Sequence, residues 1–223
     1  MKKTYIMAVL AVFVATSAMA LSVRNSRHDM VASGFASAPV GGSTEVCIFC
    51  HTPHGAQTSV TQAPLWNNYD TAAVTVGNIY NSYSMNFTTT QALVSATDAR
   101  LCLSCHDGTV GMPINQPNSG DMEVVVAKVM AANTIVGTEI TNDHPIGIDL
   151  GGTPETTDPG IRTLAVIRGA TGFNEDPFYG GAPNDNVNII WCSTCHDVHD
   201  NADVPFLRMN NAGSAMCKAC HKK

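Results

Sequence analysis

The chain is short of charge. Asp, Glu, Lys and Arg make up 13% of its 223 residues, against about 25% in an ordinary soluble domain. Its surface must therefore be built largely from neutral Thr, Asn, Ser and Gly, and such a surface resists self-association poorly. Basic residues are the scarcer sign, 12 against 18 acidic, for a formal charge of -6. A nucleic-acid partner needs a basic face, so that class is set aside. Long apolar runs are missing beyond the first twenty residues, so nothing after them reads as a membrane span. Cysteine outside one repeated pattern is missing too. That leaves no thiol for a disulfide, and none close behind the N-terminal apolar segment for a lipid.

What stands at the start is a targeting segment. Lys2 and Lys3 precede an apolar stretch from Ile6 to Val14, and Ala18-Met19-Ala20 supplies a small-x-small cleavage pattern. The reading is a signal peptide over residues 1–20 and an exported mature chain over residues 21–223, with no membrane span in it. An uncleaved anchor is the competing reading, but the apolar run falls short of the ~20 residues a span requires, and Thr16 and Ser17 interrupt its continuation. Loss of Lys2 and Lys3 leaves ten basic against eighteen acidic residues, so the mature chain is more acidic still.

All eight cysteines fall into four copies of C-x-x-C-H: Cys47, Cys50 and His51; Cys102, Cys105 and His106; Cys192, Cys195 and His196; Cys217, Cys220 and His221. Two thiols about one helical turn apart reach the two vinyl groups of a porphyrin, and the adjacent imidazole then faces the iron. Zinc sites of four cysteines share the C-x-x-C spacing but give no reason for a histidine after each second cysteine. A thioredoxin-like redox motif needs a single C-x-x-C in a strand-helix pattern. The sequence therefore predicts four covalently bound haem c groups, with thioethers at the eight cysteines and iron held proximally by His51, His106, His196 and His221.

Four histidines remain: His28, His54, His144 and His199. Four irons and four spare imidazoles predict bis-histidine, low-spin, closed haems of lower potential than a Met/His site would give. Ligation by some of the ten methionines is the competing reading. His54 and His199 each follow a proximal histidine by three residues. A neighbour so close cannot swing across the porphyrin, so each should ligate a different haem and tie haems into pairs. His144 precedes Pro145, whose ring disfavours helix at the residue before it, and Asp143 suits a turn or supporting role. His28 lies near the start of the mature chain, ahead of Gly34, Gly41 and Gly42. Ligation would tie down a terminus that is otherwise mobile; the iron belongs to this chain or to a neighbouring copy.

The expected fold is mostly irregular coil, with short helices at the haem motifs and around Thr90 to Leu103. Short strands are expected at Glu123 to Val129, Ile161 to Arg168 and Val187 to Trp191, where β-branched runs are bounded by Gly, Pro or Asp. So irregular a chain buries too little apolar surface alone, and stacked haems are expected to form its core, with folding and haem loading one event.

The whole mature chain resembles the extracellular multihaem c-type cytochromes of metal-respiring bacteria, among them the OmcE-type tetrahaem filament, or nanowire, cytochromes. The resemblance rests on Arg27-His28-Asp29, on CIFCHTPHG from Cys47, LCLSCHDGTVG from Leu101, Asp143-His144-Pro145-Ile146, WCSTCHDVHD from Trp191, and the terminal CKACHKK. It implies an extracellular or cell-surface homopolymer carrying respiratory electrons to redox partner proteins or external acceptors. It also implies that His28 reaches the last haem, that of Cys217, Cys220 and His221, in the adjacent subunit. Two other classes compete: a soluble periplasmic tetrahaem shuttle, in which His28 closes on its own chain, and a multihaem reductase. The reductase needs an open iron, and the histidine count offers none, so no enzymatic activity is expected.

Overall fold

The structure, a computed structural model, describes residues 23–33, 46–51, 56, 65–66, 78–80, 82–88, 99–108, 134–173, 176–178 and 188–222. The signal peptide, Gly34, Gly41, Gly42, His54, the strand expected at Glu123 to Val129 and the first part of the helix expected from Thr90 lie outside them.

Among the described residues coil and turn predominate, and each haem motif is helical. Cys47–Phe49 is a 3-10 turn, α1 is Ala99–His106, and the later motifs form α4, Cys192–Cys195, and α5, Ala215–Cys220. The reason is local. In three motifs the histidine N–H donates to the carbonyl of the first cysteine: His51 at 2.8 Å, His196 at 3.0 Å and His221 at 2.9 Å. That closed turn places both thiols, three residues apart, on one face. α1 ends at Gly108, whose φ of +76 suits glycine, and a Cβ there would meet Ile135 Cγ2 at 2.8 Å.

Two further helices are α2, Pro154–Thr157, begun by a proline, and α3, Leu164–Arg168. The latter corrects the strand expected from Ile161 to Arg168. Ile161 makes an isolated bridge to His221, but from Leu164 the chain is helical. Thr163 caps it, its side chain accepting from Val166 N–H, and Gly169 ends it. Ile167 is fully buried and Leu164 half-buried, whereas Ala165 and Val166 face outward. This three-residue spacing is that of a helix, and it outweighs β-branched propensity.

The strands are two residues each. β1, Asn78–Ile79, pairs parallel with β2, Glu139–Ile140; β3, Ile148–Asp149, pairs antiparallel with β4, Ile189–Ile190. The last falls within the strand expected from Val187 to Trp191.

Apolar packing is divided into three small clusters, each bordered by a motif cysteine. Ala99, Leu103 and Ile140 pack beside Cys192; Ile148, Leu150, Ile167, Phe178 and Ile190 beside Cys220; Met209, Met216 and Ala219 beside Cys195. Each cluster therefore packs against a motif, and no single core joins them among the described residues.

Candidate functional site

Imidazoles meet in pairs. His51 and His199 have ring centres 6.2 Å apart, His28 and His106 6.2 Å, and His144 and His221 6.4 Å. Each pair joins one proximal with one distal candidate. Two imidazoles that grip one metal from opposite sides, each through a nitrogen about 2.0–2.1 Å from it, put their ring centres about 6 Å apart. The spacing of all three pairs therefore fits a shared iron. His196 is the remaining proximal residue, and His54, the remaining spare histidine, lies outside the described residues.

The ring nitrogens are assigned by their partners. His106 Nδ1 lies 2.7 Å from the Thr134 carbonyl, and His196 Nδ1 lies 3.0 Å from that of Pro205. A carbonyl only accepts, so Nδ1 carries the proton and Nε2 keeps its lone pair for a metal. His144 Nδ1 makes the same kind of bond to the Pro145 carbonyl, at 3.0 Å. His144 and Pro145 lie in neither helix nor strand, just after the turn at residues 141–142.

None of the eight cysteines is in a disulfide. Burial above all pushes Cys50 up to about 12, with Cys105 and Cys47 adding to it. Burial likewise raises Cys195 to about 11, helped by Cys220, Cys192 and Cys217, and Cys220 to about 11, helped by Cys217. These neighbours map the site: the first motif lies against the second, and the third against the fourth. α1 and α4 also pack together, joining the second motif to the third.

A covalent haem fits these residues on three counts: neutral thiols paired on one helical face, imidazoles paired at the spacing of a shared metal, and unsatisfied polar atoms beside a motif. Trp191 Nε1 and Ser193 Oγ, on either side of Cys192, are buried with no hydrogen-bond partner. Such orphans cost free energy unless an acceptor from a bound group meets them, and haem carries two carboxylates. Among the described residues no three His, Cys, Asp or Glu converge as the ligands of a zinc site would.

Residues 185–223 match the family of the doubled CXXCH motif. No curated protein matches the chain. The match indicates a multihaem c-type cytochrome, an electron-transfer protein with covalently bound haem c. The matched stretch covers the third and fourth motifs, and the first two repeat the same five-residue pattern.

One relation departs from what the resemblance implies. The imidazole beside His221 is His144, and His28 stands beside His106. The last motif is also pinned by residues 160–162, with Arg162 N–H donating to the Cys220 carbonyl at 2.8 Å and Lys222 N–H to that of Gly160 at 2.9 Å. Among the described residues no helix is long and apolar enough to cross a membrane.

Sequence reasoning missed the supports. The carbonyls of Thr134 and Pro205 have no side-chain signature. Phe206, stacked on His28, and Arg208, whose Nε donates to the Ser193 carbonyl, lie far along the chain from what they touch. Trp191 alone had a signal, as a large polar-tipped ring adjoining a haem cysteine.

Proposed function

We propose that the chain is a tetrahaem electron carrier whose irons are all closed by two histidines, and that it assembles into an extracellular filament for long-range respiratory electron transfer. The pairing of proximal with distal imidazoles is the observation that carries the closed-iron reading. His51 with His199, His106 with His28 and His221 with His144 would hold three irons, and His196 with His54 the fourth, by the reciprocity of the two C-H-x-x-H elements. Each haem, when bound, supplies an iron that takes up and releases one electron. The residues of the chain would bind and orient it: the cysteines would hold the macrocycle by thioethers, the carbonyls of Thr134 and Pro205 would set the imidazole tautomer, and the paired imidazoles would exclude substrate from the metal. A closed iron favours carriage of electrons over an enzymatic reaction.

The filament rests on the resemblance and on a surface poor in charge. In it the Val23–Ser33 loop of one copy would be delivered to the next, so that His28 closes an iron there. Exchange of an identical element between copies needs no new contacts. A specific observation favours a second reading: His28 lies beside His106 of its own chain, as a soluble periplasmic shuttle requires.

Cryo-electron microscopy of the purified mature holoprotein distinguishes them. A helical polymer with density from His28 to the neighbouring copy's iron is expected; discrete particles with His28 bound internally would leave the shuttle. His28→Ala should abolish polymer growth with four haems still attached by mass spectrometry. Intact filaments from that variant would rule out exchange of the loop, and fewer than four haems on the wild-type chain would rule out the count.

A further inference from the structure

Two consecutive residues of one loop serve two imidazoles, that of His196 in the third motif and that of His28 in the N-terminal loop. The carbonyl of Pro205 accepts from His196 Nδ1, while the ring of Phe206 lies on His28 with centres 4.5 Å apart and planes within 19°. Phe206 is only 4% exposed, and its φ of +57 is left-handed. A bulky side chain rarely adopts that conformation, and it persists only where the surroundings fix it. Here they do. Phe206 N–H donates to Asn201 Oδ1 at 3.2 Å, its carbonyl accepts from Asp197 N–H at 2.8 Å, and Arg208 N–H reaches the Cys195 carbonyl at 2.9 Å.

The partner loop fixes its own backbone. Ser26 Oγ donates to the Val23 carbonyl and accepts from His28 N–H, and the Asp29 carboxylate accepts from Asn25 N–H at 2.8 Å and Ala32 N–H at 3.1 Å. These bonds set where His28 leaves the chain but not how its ring turns. The ring meets two aromatic partners, His106 at 6.2 Å and nearly edge-on, and Phe206 face to face. Only the second supplies a flat wall.

We propose that Phe206 is a positioning residue that holds the His28 imidazole flat against its own ring and so aims it across from His106. The receptor of the N-terminal loop, whether from the same chain or a second copy, is then the space between His106 and Phe206. The proposal rests on the reading that His28 ligates an iron. Without the wall the imidazole would rotate off the metal part of the time and leave a coordination position open.

The test counts open irons in reduced, purified holoprotein by carbon monoxide uptake, with spin state followed by resonance Raman spectroscopy. The wild type should bind only a trace, and His28→Ala one molecule per chain. Phe206→Leu keeps an apolar group of similar bulk but no plane. It should raise the fraction of chains that take up one carbon monoxide by about tenfold, the scale of an aromatic stack beyond its burial. Phe206→Tyr, which keeps the ring, should stay closed. If His28→Ala opens an iron and Phe206→Leu does not, the stack positions nothing and the proposal fails alone. It fails in the same way if Phe206→Tyr opens the iron as readily as Phe206→Leu. If His28→Ala leaves every iron closed, His28 is no ligand and both readings fall. Should Phe206→Leu fail to load haem, Asn201→Ala releases the Phe206 N–H without removing the ring and carries the same expectation, and a closed iron in that variant would overturn the proposal.

Discussion

The loop at Val23–Ser33 and the loop at His196–Arg208 each bring a histidine within 6.2 Å of a proximal imidazole, by different means. In the C-terminal loop the cause is local. His199 N–H donates to Asp197 Oδ1 at 2.9 Å, and the His199 side chain is 63% exposed, close to the Asp197 carboxylate. That turn sets where His199 leaves the chain, and its ring centre lies 6.2 Å from that of His51. In the N-terminal loop the cause is tertiary. His28 is half-buried against Phe206, and burial, reinforced by His106, His196 and His199, lowers its pKa to about 4. It is thus neutral at neutral pH, the form a metal requires. One histidine is placed by its own turn, the other by a surface that another part of the fold provides.

The largest expected effect that tests this contrast comes from removing both imidazoles. His28→Ala and His199→Ala should each open a different iron, so the double variant should take up two carbon monoxide molecules per chain, as independent sites do. Uptake of only one would mean the two loops share an iron, and the comparison would collapse. Next in size is Asp197→Ala. Besides holding His199 N–H, the Asp197 carboxylate lies 4.0 Å from the guanidinium of Arg208, which is 6% exposed. Its loss removes one counter-charge from a buried cation and the acceptor of His199 N–H, and should cost about 1–3 kcal/mol in chemical denaturation of the holoprotein. Asp197→Asn, which keeps the acceptor for His199 N–H but not the charge, should recover part of it.

The contrast also explains what could be read in advance. The C-H-x-x-H element of His196 and His199, the helical turns at the motifs and the proline after His144 are written in adjacent residues, and each could be placed from spacing alone. The partner of a distal histidine is another matter. His144 beside His221 and His28 beside His106 are relations across 77 and 78 residues, which no local spacing encodes, and the resemblance had implied His28 for the last motif. The strand expected from Ile161 failed for a related reason. Its β-branched residues were legible, but the cap at Thr163 and the burial of Ile167 with Leu164, which select a helix, become visible only in the packing around Cys220.

A smaller effect is expected at Asp29. Burial works to raise its pKa, but the N–H groups of Asn25 and Ala32, the charge of Arg24 and the N–H of Val31 outweigh that and hold it below the ordinary carboxylate value. A lowered pKa stabilises the loop fully above the ordinary value, and the contribution disappears as pH falls through the lowered one. Asp29→Ala should therefore remove about 0.5–1.5 kcal/mol at neutral pH, the range for an ordinary hydrogen bond. The difference from wild type should shrink on acidification, measured as carbon monoxide uptake at the iron His28 would close. An unchanged uptake at neutral pH would mean that Phe206 alone suffices to hold the loop.

The smallest effect is a control that separates positioning from stability. Thr163 caps α3 by accepting from Val166 N–H at 3.3 Å, and it belongs to neither loop. Thr163→Ala should cost about 1 kcal/mol, as loss of an N-terminal helix cap does, because the Val166 N–H then has only solvent or the Thr163 carbonyl, 3.0 Å away, to meet it. Thermal unfolding should register that loss while every iron stays closed to carbon monoxide, since the packing of α3 shown among the described residues is against α5 and the cluster of Ile148, Leu150 and Phe178. If Thr163→Ala opens an iron as readily as Phe206→Leu, ligand release in this chain follows global loosening, and the separate means by which the two loops hold their histidines would have no functional consequence.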